Sequence, residues 1–299
     1  MDYKKLENCV LGEKIEIPLM ITRILDGNTY PLRVLVRDET KELRCNIKVD
    51  DEKPIESGSI ILAKGVLTDP FKIDTYEILE NEKSIDYLPK SERPIEEIMK
   101  EIEEITSKEI TSQEGKLLND YFFRNEHFLE KFKNAIGGVS NHHNYIGGLA
   151  EHTLGVMYLA KELAYRYDAR YKEIAILGAK LHDIGKVYEM SYEGPFSYTL
   201  KGNMQGHIVM GITMVEKAFM EYPNVFTEEF KERIKGIIVQ HHGKLEYGSP
   251  VQPRSEESYI VHYADYVDAT MNKIKIIGKG VEKGEWSSYD KRIEGRLFL

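Results

Sequence analysis

Cysteine is scarce in this chain of 299 residues, with only Cys9 and Cys45. Two isolated thiols supply neither a disulfide framework nor a thiolate metal site, so a reducing, cytoplasmic setting is expected. Positive charge is in deficit as well. Forty-one Lys and Arg face 50 Asp and Glu, a net of −9, which excludes a globally basic nucleic-acid binder but not a local basic groove. No apolar run approaches the ~20 residues that cross a bilayer, and the first residues lack the apolar stretch of a secretion signal. No membrane partner is therefore expected. Internal repeats and low-complexity segments are absent too. What remains is a composition 41% hydrophobic and 30% charged, that of a globular protein long enough for two domains.

The first ~80 residues alternate with period 2, the pattern of half-buried strands. Ile15, Ile17, Leu19 and Ile21 form one run, Leu32, Val34 and Val36 the next, then Leu43, Cys45, Ile47 and Val49. Ile60, Leu62 and Val66 follow, and then Phe71, Ile73 and Ile78. Turns are expected at Asp26-Gly27-Asn28 and Asp50-Asp51-Glu52. Five short strands suit a small antiparallel barrel of the OB type over residues 1–85, with an SH3-like barrel as the alternative. Residues 81–95, polar and carrying Pro89 and Pro94, read as a linker.

From Ile95 the period becomes helical. Ile98, Ile102 and Ile105 share one face, and Ser112 marks a helix start. Phe122, Phe123, Phe128, Leu129 and Phe132 make an aromatic-rich second helix whose rings are expected to be core. Further helices are expected from Leu149 to about Tyr167, from Tyr171 to Lys186, through Phe219 after a glycine turn at Gly202–His207, from Thr227 to His242, and from Ser258 to about Ile277. The chain thus reads as a multidomain α and β protein. A barrel at 1–85 is followed by linker and leading helices at 86–140. An all-α helical bundle at 141–277 and a tail at 278–299 that packs on it complete the chain.

The bundle carries candidate metal ligands at helix-like intervals. His152 precedes His182-Asp183, and His207, His241, His242 and Asp265 follow; the steps from His152 through His182, His207 and His241 to Asp265 are 30, 25, 34 and 24 residues. Each step matches a helix plus a connection, so each ligand comes from a different helix. Burying that many imidazoles without a shared partner would be costly. Imidazole with carboxylate suits Mn, Fe, Co, Ni or Zn. Asp183, with two oxygens, suits a bridge between two ions that together activate a water against a phosphoester. Lys186 lies four residues beyond His182, on the same face of a continuous helix, where it can meet a phosphate. Asp183 and Lys186 are the expected catalytic pair, and His142 and His143 are placed at the substrate channel. His127 and His262 read as ordinary core or surface histidines, and Glu151 as a solvated one of the helix acids.

These residues resemble the HD-domain metal-dependent phosphohydrolase superfamily. The resemblance rests on His152, His182-Asp183 and Asp265, with His207 and His241-His242 similar to its dinuclear branch. The stretches His142–Thr153, Leu181–Lys186, Lys201–His207, His241–Pro250 and His262–Ala269 are similar to the YhaM-type 3′-5′ exoribonucleases, and the tail from Trp286 is too. The resemblance implies an OB-fold joined to an HD domain, manganese as the metal, and removal of nucleotides from the 3′ end of single-stranded RNA, with single-stranded DNA as a further substrate. Tyr30 and Phe71 are the barrel rings placed to stack on bases, with Arg33, Arg37 and Arg44 at phosphates. Against this, residues 1–85 carry 13 basic and 17 acidic side chains, a net of −4.

Three other functions compete. One is hydrolysis of small nucleotides or cyclic dinucleotides; Tyr247-Gly248-Ser249-Pro250 stands where one phosphodiesterase branch has Gly-Tyr-Pro. The others are a non-catalytic nucleic-acid-binding regulator and a di-iron oxygenase. Homo-oligomerisation stays open.

Overall fold

The alternating runs of the first unit close on themselves. In the computed structural model, which describes residues 3–26, 30–49, 54–139 and 143–299, the strands are β1 (Lys14–Asp26), β2 (Leu32–Arg37), β3 (Glu42–Ile47), β4 (Ile60–Val66) and β5 (Phe71–Ile78). Their order is β1-β2-β3-β5-β4, closed by β4 on β1. Every seam is antiparallel except β3 with β5, which run parallel with Cys45 opposite Phe71. This is an OB-like barrel. The 13-residue β1 pairs with both β2 and β4, and irregularities at Ile21/Arg23 and Ile24/Asp26 let it bend between them. Ile17, Leu19, Ile21, Val34, Val36, Ile47 and Ile61 fill the interior.

Phe71 fills it too. It is fully buried, because its register opposite Cys45 turns the ring inward, and the expectation that it stacks on a base is corrected. Tyr30 is 74% exposed and keeps a free face. The turn residues Gly27, Asn28, Asp50, Asp51 and Glu52, and also His142, lie outside the described residues. The stretch read as a linker is anchored: Ser84–Tyr87 is a 3-10 turn, Tyr87 and Leu88 are buried, and the Tyr87 carbonyl accepts from Arg37 Nε at 3.0 Å.

The chain divides into two compact units, Met1–Lys90 with Ser191–Ser197, and Ser91–Met190 with Tyr198–Leu299. The second is helical. Among its described residues are α1 (Ile95–Glu109), α2 (Gln113–Phe123), α3 (Glu126–Asn134), α4 (Gly148–Arg166), α5 (Lys172–Leu181), α6 (Lys186–Glu189), α7 (Leu200–Glu221), α8 (Glu228–Gln240) and α9 (Glu256–Gly278). Side-chain caps set several starts. Ser112, Asn125, Thr199, Thr227 and Ser255 each accept from a backbone N–H three residues on. The Asn125 cap divides the expected aromatic-rich helix, leaving Phe122 and Phe123 on α2 and Phe128 and Phe132 on α3. The rings still meet in one cluster. One apolar core runs from Ile98 on α1 through α4, α5 and α8 to Ala264 on α9. No described helix is long and apolar enough to cross a membrane.

One polar group sits deep in this core. Lys180 on α5 is 2% exposed, donates to Thr106 Oγ1 (2.8 Å) and Asn119 Oδ1 (2.6 Å), and lies over the Phe123 ring. Burial pushes its ammonium down to about 7. The unfolded chain, with an ordinary lysine, binds one proton more between about pH 7 and 10. Stability therefore rises with pH across that window, by roughly 1.4 kcal/mol per unit at most. Chemical denaturation from pH 7 to 9.5 is expected to show this rise in the native protein and to lose it in Lys180→Met; equal slopes in both would contradict the assignment.

Candidate metal centre

Four histidines arrive at one place in the helical unit with the same ring nitrogen forward. His182 follows the last residue of α5, and its Nδ1 donates to the Ala179 carbonyl at 2.7 Å. His241 follows α8 in the same way and donates to the Ile238 carbonyl at 2.9 Å. His152, on α4, directs Nδ1 at Asp268 Oδ2 (2.7 Å). His207 directs its Nδ1 at Glu189 Oε1 (3.2 Å). Carbonyls and carboxylates only accept, so each Nδ1 carries the hydrogen and each Nε2 is left with a lone pair.

Those lone pairs converge. His152 Nε2 and His182 Nε2 are 3.3 Å apart, a distance at which two acceptors repel unless a cation lies between them. Asp183 Oδ2 stands 3.4 Å from the first and 3.3 Å from the second, and Asp265 Oδ1 lies 3.2 Å from His152 Nε2. On the other side, His207 Nε2 is 3.3 Å from His242 Nε2. Asp183 Oδ1 is 3.5 Å from both His207 Nε2 and His241 Nε2. Asp183 thus faces two groups with its two oxygens. Among the described residues, Asp183 Oδ1, His241 Nε2 and His242 Nδ1 are buried without a hydrogen-bond partner. Orphaned polar atoms of this kind are rare in a folded core, and the set of nitrogens and carboxylate oxygens fits a divalent cation.

The electrostatics agree. Burial opposes a charged His152, but hydrogen bonds to Asp183, Asp265 and Asp268 outweigh it and raise its proton affinity well above the usual imidazole range, so its Nε2 lone pair takes up a proton that a bound cation would displace. Burial likewise opposes charge on Asp183, yet Lys186 and His182 hold it well below the ordinary carboxylate range. Asp265 is also held low, by His152 against its own burial. His242 is pushed down to about 3 by burial and by His241 and His207, and burial lowers His241 too. His241 and His242 are therefore neutral and ready to ligate at neutral pH.

The backbone builds this site at two glycines. Gly206 interrupts α7 with φ 71°, ψ 159° and starts a new helical segment at His207, whose N–H donates to Glu189 Oε1 at 2.9 Å. The glycine stretch expected to be a turn is therefore helical from Leu200, with the break confined to Gly206. Gly243 ends the His241-His242 turn at φ 78°, where a Cβ would stand 2.1 Å from the His262 ring.

All seven ligand candidates, His152, His182, Asp183, His207, His241, His242 and Asp265, meet here. Lys186 arrives by another route than a shared helix face. The expected helix through Lys186 stops at Leu181, residues 182–185 form turns, and Lys186 opens α6. Its buried Nζ donates to Asp183 Oδ2 (2.6 Å) and the Gly137 carbonyl (2.9 Å). His143 stands behind His152, not in front of it: its Nε2 meets Asp268 Oδ2 at 2.9 Å and its Nδ1 meets the Tyr145 hydroxyl. Glu151 accepts from Ser91 Oγ at 2.7 Å and takes no part in the cluster.

Some members were not assigned a role from sequence. Asp268, three residues after Asp265 and so on the same face of α9, orients His152; Glu189 orients His207. His262, read as ordinary, donates Nδ1 to the His241 carbonyl at 2.8 Å and lines the cavity in front of the cluster. An i, i+3 search from Asp265 in both directions finds Asp268 and His262. Asp268→Asn keeps the shape but removes the charge that would make His152 a strong ligand. Such orienting partners typically contribute 10–100-fold, so metal affinity, read by titration, is expected to weaken by roughly that factor; unchanged affinity would show Asp268 to be structural only.

The HD domain family model matches residues 149–270, which include every ligand candidate. The chain is also similar to the 3′-5′ exoribonuclease YhaM of Geobacillus sp. (strain WCH70), 29% identical across 96% of this chain and 92% of that protein. It is similar to the 3′-5′ exoribonuclease YhaM of Bacillus pumilus (strain SAFR-032), 28% identical across 96% of this chain and 95% of that one. No solved structure gives a significant match.

Proposed function

Because the chain carries an HD domain at residues 149–270, we propose that it is a metal-dependent phosphodiesterase acting as a 3′-5′ exoribonuclease on single-stranded RNA. The observation that carries the proposal is the convergence of four Nε2 lone pairs on Asp183 and Asp265. The similarity of nearly the whole chain to two proteins with that name supports the polymer substrate. The OB-like barrel supports it further, since such barrels bind single strands.

His152, His182 and Asp265 would hold one ion and His207, His241 and His242 another, with Asp183 serving both. Manganese is the metal this reading favours. Bound there, divalent ions supply a water that loses its proton near neutral pH and a charge clamp on the phosphodiester. The chain's own part is placement. Asp268, Glu189 and the carbonyls of Ala179 and Ile238 fix the four rings, so little reorganisation remains when substrate arrives. Lys186, held by Asp183 at the cavity wall, places a cation where negative charge develops on the phosphoryl oxygens.

Incubation with Mn²⁺ and 5′-labelled single-stranded RNA tests this. A ladder that shortens stepwise from the 3′ end is expected, ending in mononucleotide release. Hydrolysis of nucleotides or bis(p-nitrophenyl) phosphate with the RNA left intact would instead mean a small-substrate phosphohydrolase.

A further inference from the structure

In front of the cluster lies a cavity of about 920 Å³ lined in part by the C-terminal tail. Asp183, Lys186, His242, His262 and Asp265 line it, together with Lys273 of α9 and residues 291–294 of the tail. The tail holds its own shape as a hairpin. Ser287 N donates to the Leu297 carbonyl (2.8 Å), Asp290 N donates to the Gly295 carbonyl (2.8 Å), and Trp286 packs on Phe298. Asp290 grips the Arg292 guanidinium with two hydrogen bonds, 2.9 Å to Nε and 2.7 Å to Nη2. The hairpin tip, with Lys291 and Arg292, is thereby presented to the cavity.

The lysines are distributed unevenly. Lys275 on α9 and Lys279 just past its end both pair with Glu92, which they hold at about 2. Lys273 and Lys291, at the cavity, make no ion pair among the described residues. In a chain of net charge −9, two lysines with no ion pair among the described residues, one from α9 and one from the tail, line one cavity with Glu294 beside them. Tyr247 and Tyr266, both about half exposed, line the same space and offer ring faces to bases.

We infer that Lys273 and Lys291, with Arg292 beside them, grip the phosphates of a single strand whose end lies on the metal cluster, making the tail hairpin one jaw of the substrate groove. The inference rests on the phosphodiesterase reading for its substrate class, but binding can be measured apart from cleavage. Each phosphate contact to a single strand contributes a salt slope of about 0.7 in log Kd against log[salt]. Fluorescence anisotropy of a 5′-labelled single-stranded RNA with phosphorothioate linkages, in Mn²⁺ and at 50–300 mM salt, reads Kd and slope together. Lys273→Ala/Lys291→Ala is expected to raise Kd roughly 10-fold and reduce the slope by about 1.4. Lys273→Arg/Lys291→Arg is expected to restore both. Lys275→Ala/Lys279→Ala, which removes the same charge from the Glu92 side, should bind as the native protein does. An unchanged Kd and slope in the first double variant, an equal loss in the Lys275/Lys279 control, or no RNA binding by the native protein would each overturn the inference. RNA that binds through these lysines without being shortened would overturn the nuclease reading alone.

Discussion

Asp183→Ala is expected to abolish hydrolysis, lowering kcat/KM by roughly 10⁴-fold or more, and to strip the protein of both ions. The size follows from position. Its two oxygens lie within 3.5 Å of His152, His182, His207 and His241, so removing the carboxylate costs each half of the cluster a ligand. A bound divalent ion lowers the pKa of a water from 15.7 to about 7, and that advantage disappears with the metal. Asp183 also neutralises Lys186, which is buried with it. Leaving that ammonium beside a single carbonyl is destabilising, by up to several kcal/mol. Asp183→Asn separates the two effects, because the amide keeps the volume and still accepts from Lys186. It is expected to melt near the native temperature without metal and remain inactive. Native-like turnover by either variant would contradict the bridging role.

His207→Ala/His242→Ala is expected to have the second-largest effect, leaving the protein with one ion and activity down roughly 10³-fold. The other half, with His152, His182, Asp183 and Asp265, stays complete in this variant. Elemental analysis after Mn²⁺ loading and desalting checks it, with metal per chain expected to halve. A full complement of metal would show that these two histidines line the site without ligating. The backbone beneath them is tolerant. Glu189, which accepts from His207 Nδ1 and from its N–H, keeps the latter bond in the variant, and His242 sits, partly buried, in the turn that follows α8.

The architecture was legible because both units follow simple periods. Alternation over Ile15–Ile21 and its successors locates all five strands, and the closure of β3 on β5 is the part no period reveals. The choice between barrel types depended on that parallel seam. Phe71 was misread as exposed because alternation says which residues share a face, not which face is inside. The candidate ligands were legible as a set since their spacing matched helix lengths, whereas their orientation was not. Which nitrogen faces the ion depends on acceptors such as the carbonyls of Ala179 and Ile238, which no residue type announces. Lys186 reached its place through a chain of turns after Leu181, where a helix-face argument assumed continuity. His143 looked like a channel residue because it is near His152 in sequence, yet it lies on the rear side of that ring. The tail was opaque for a related reason, its hairpin being held by backbone bonds between residues up to fifteen apart.

The central claim is that the lone pairs gathered around Asp183 exist to hold divalent ions. Metal content measured by elemental analysis, after loading with Mn²⁺ and removal of free metal, addresses it directly. About two ions per native chain and essentially none in Asp183→Asn is the result this account predicts. A native protein that retains no metal, or an Asp183→Asn variant that retains as much as the native protein, would contradict it.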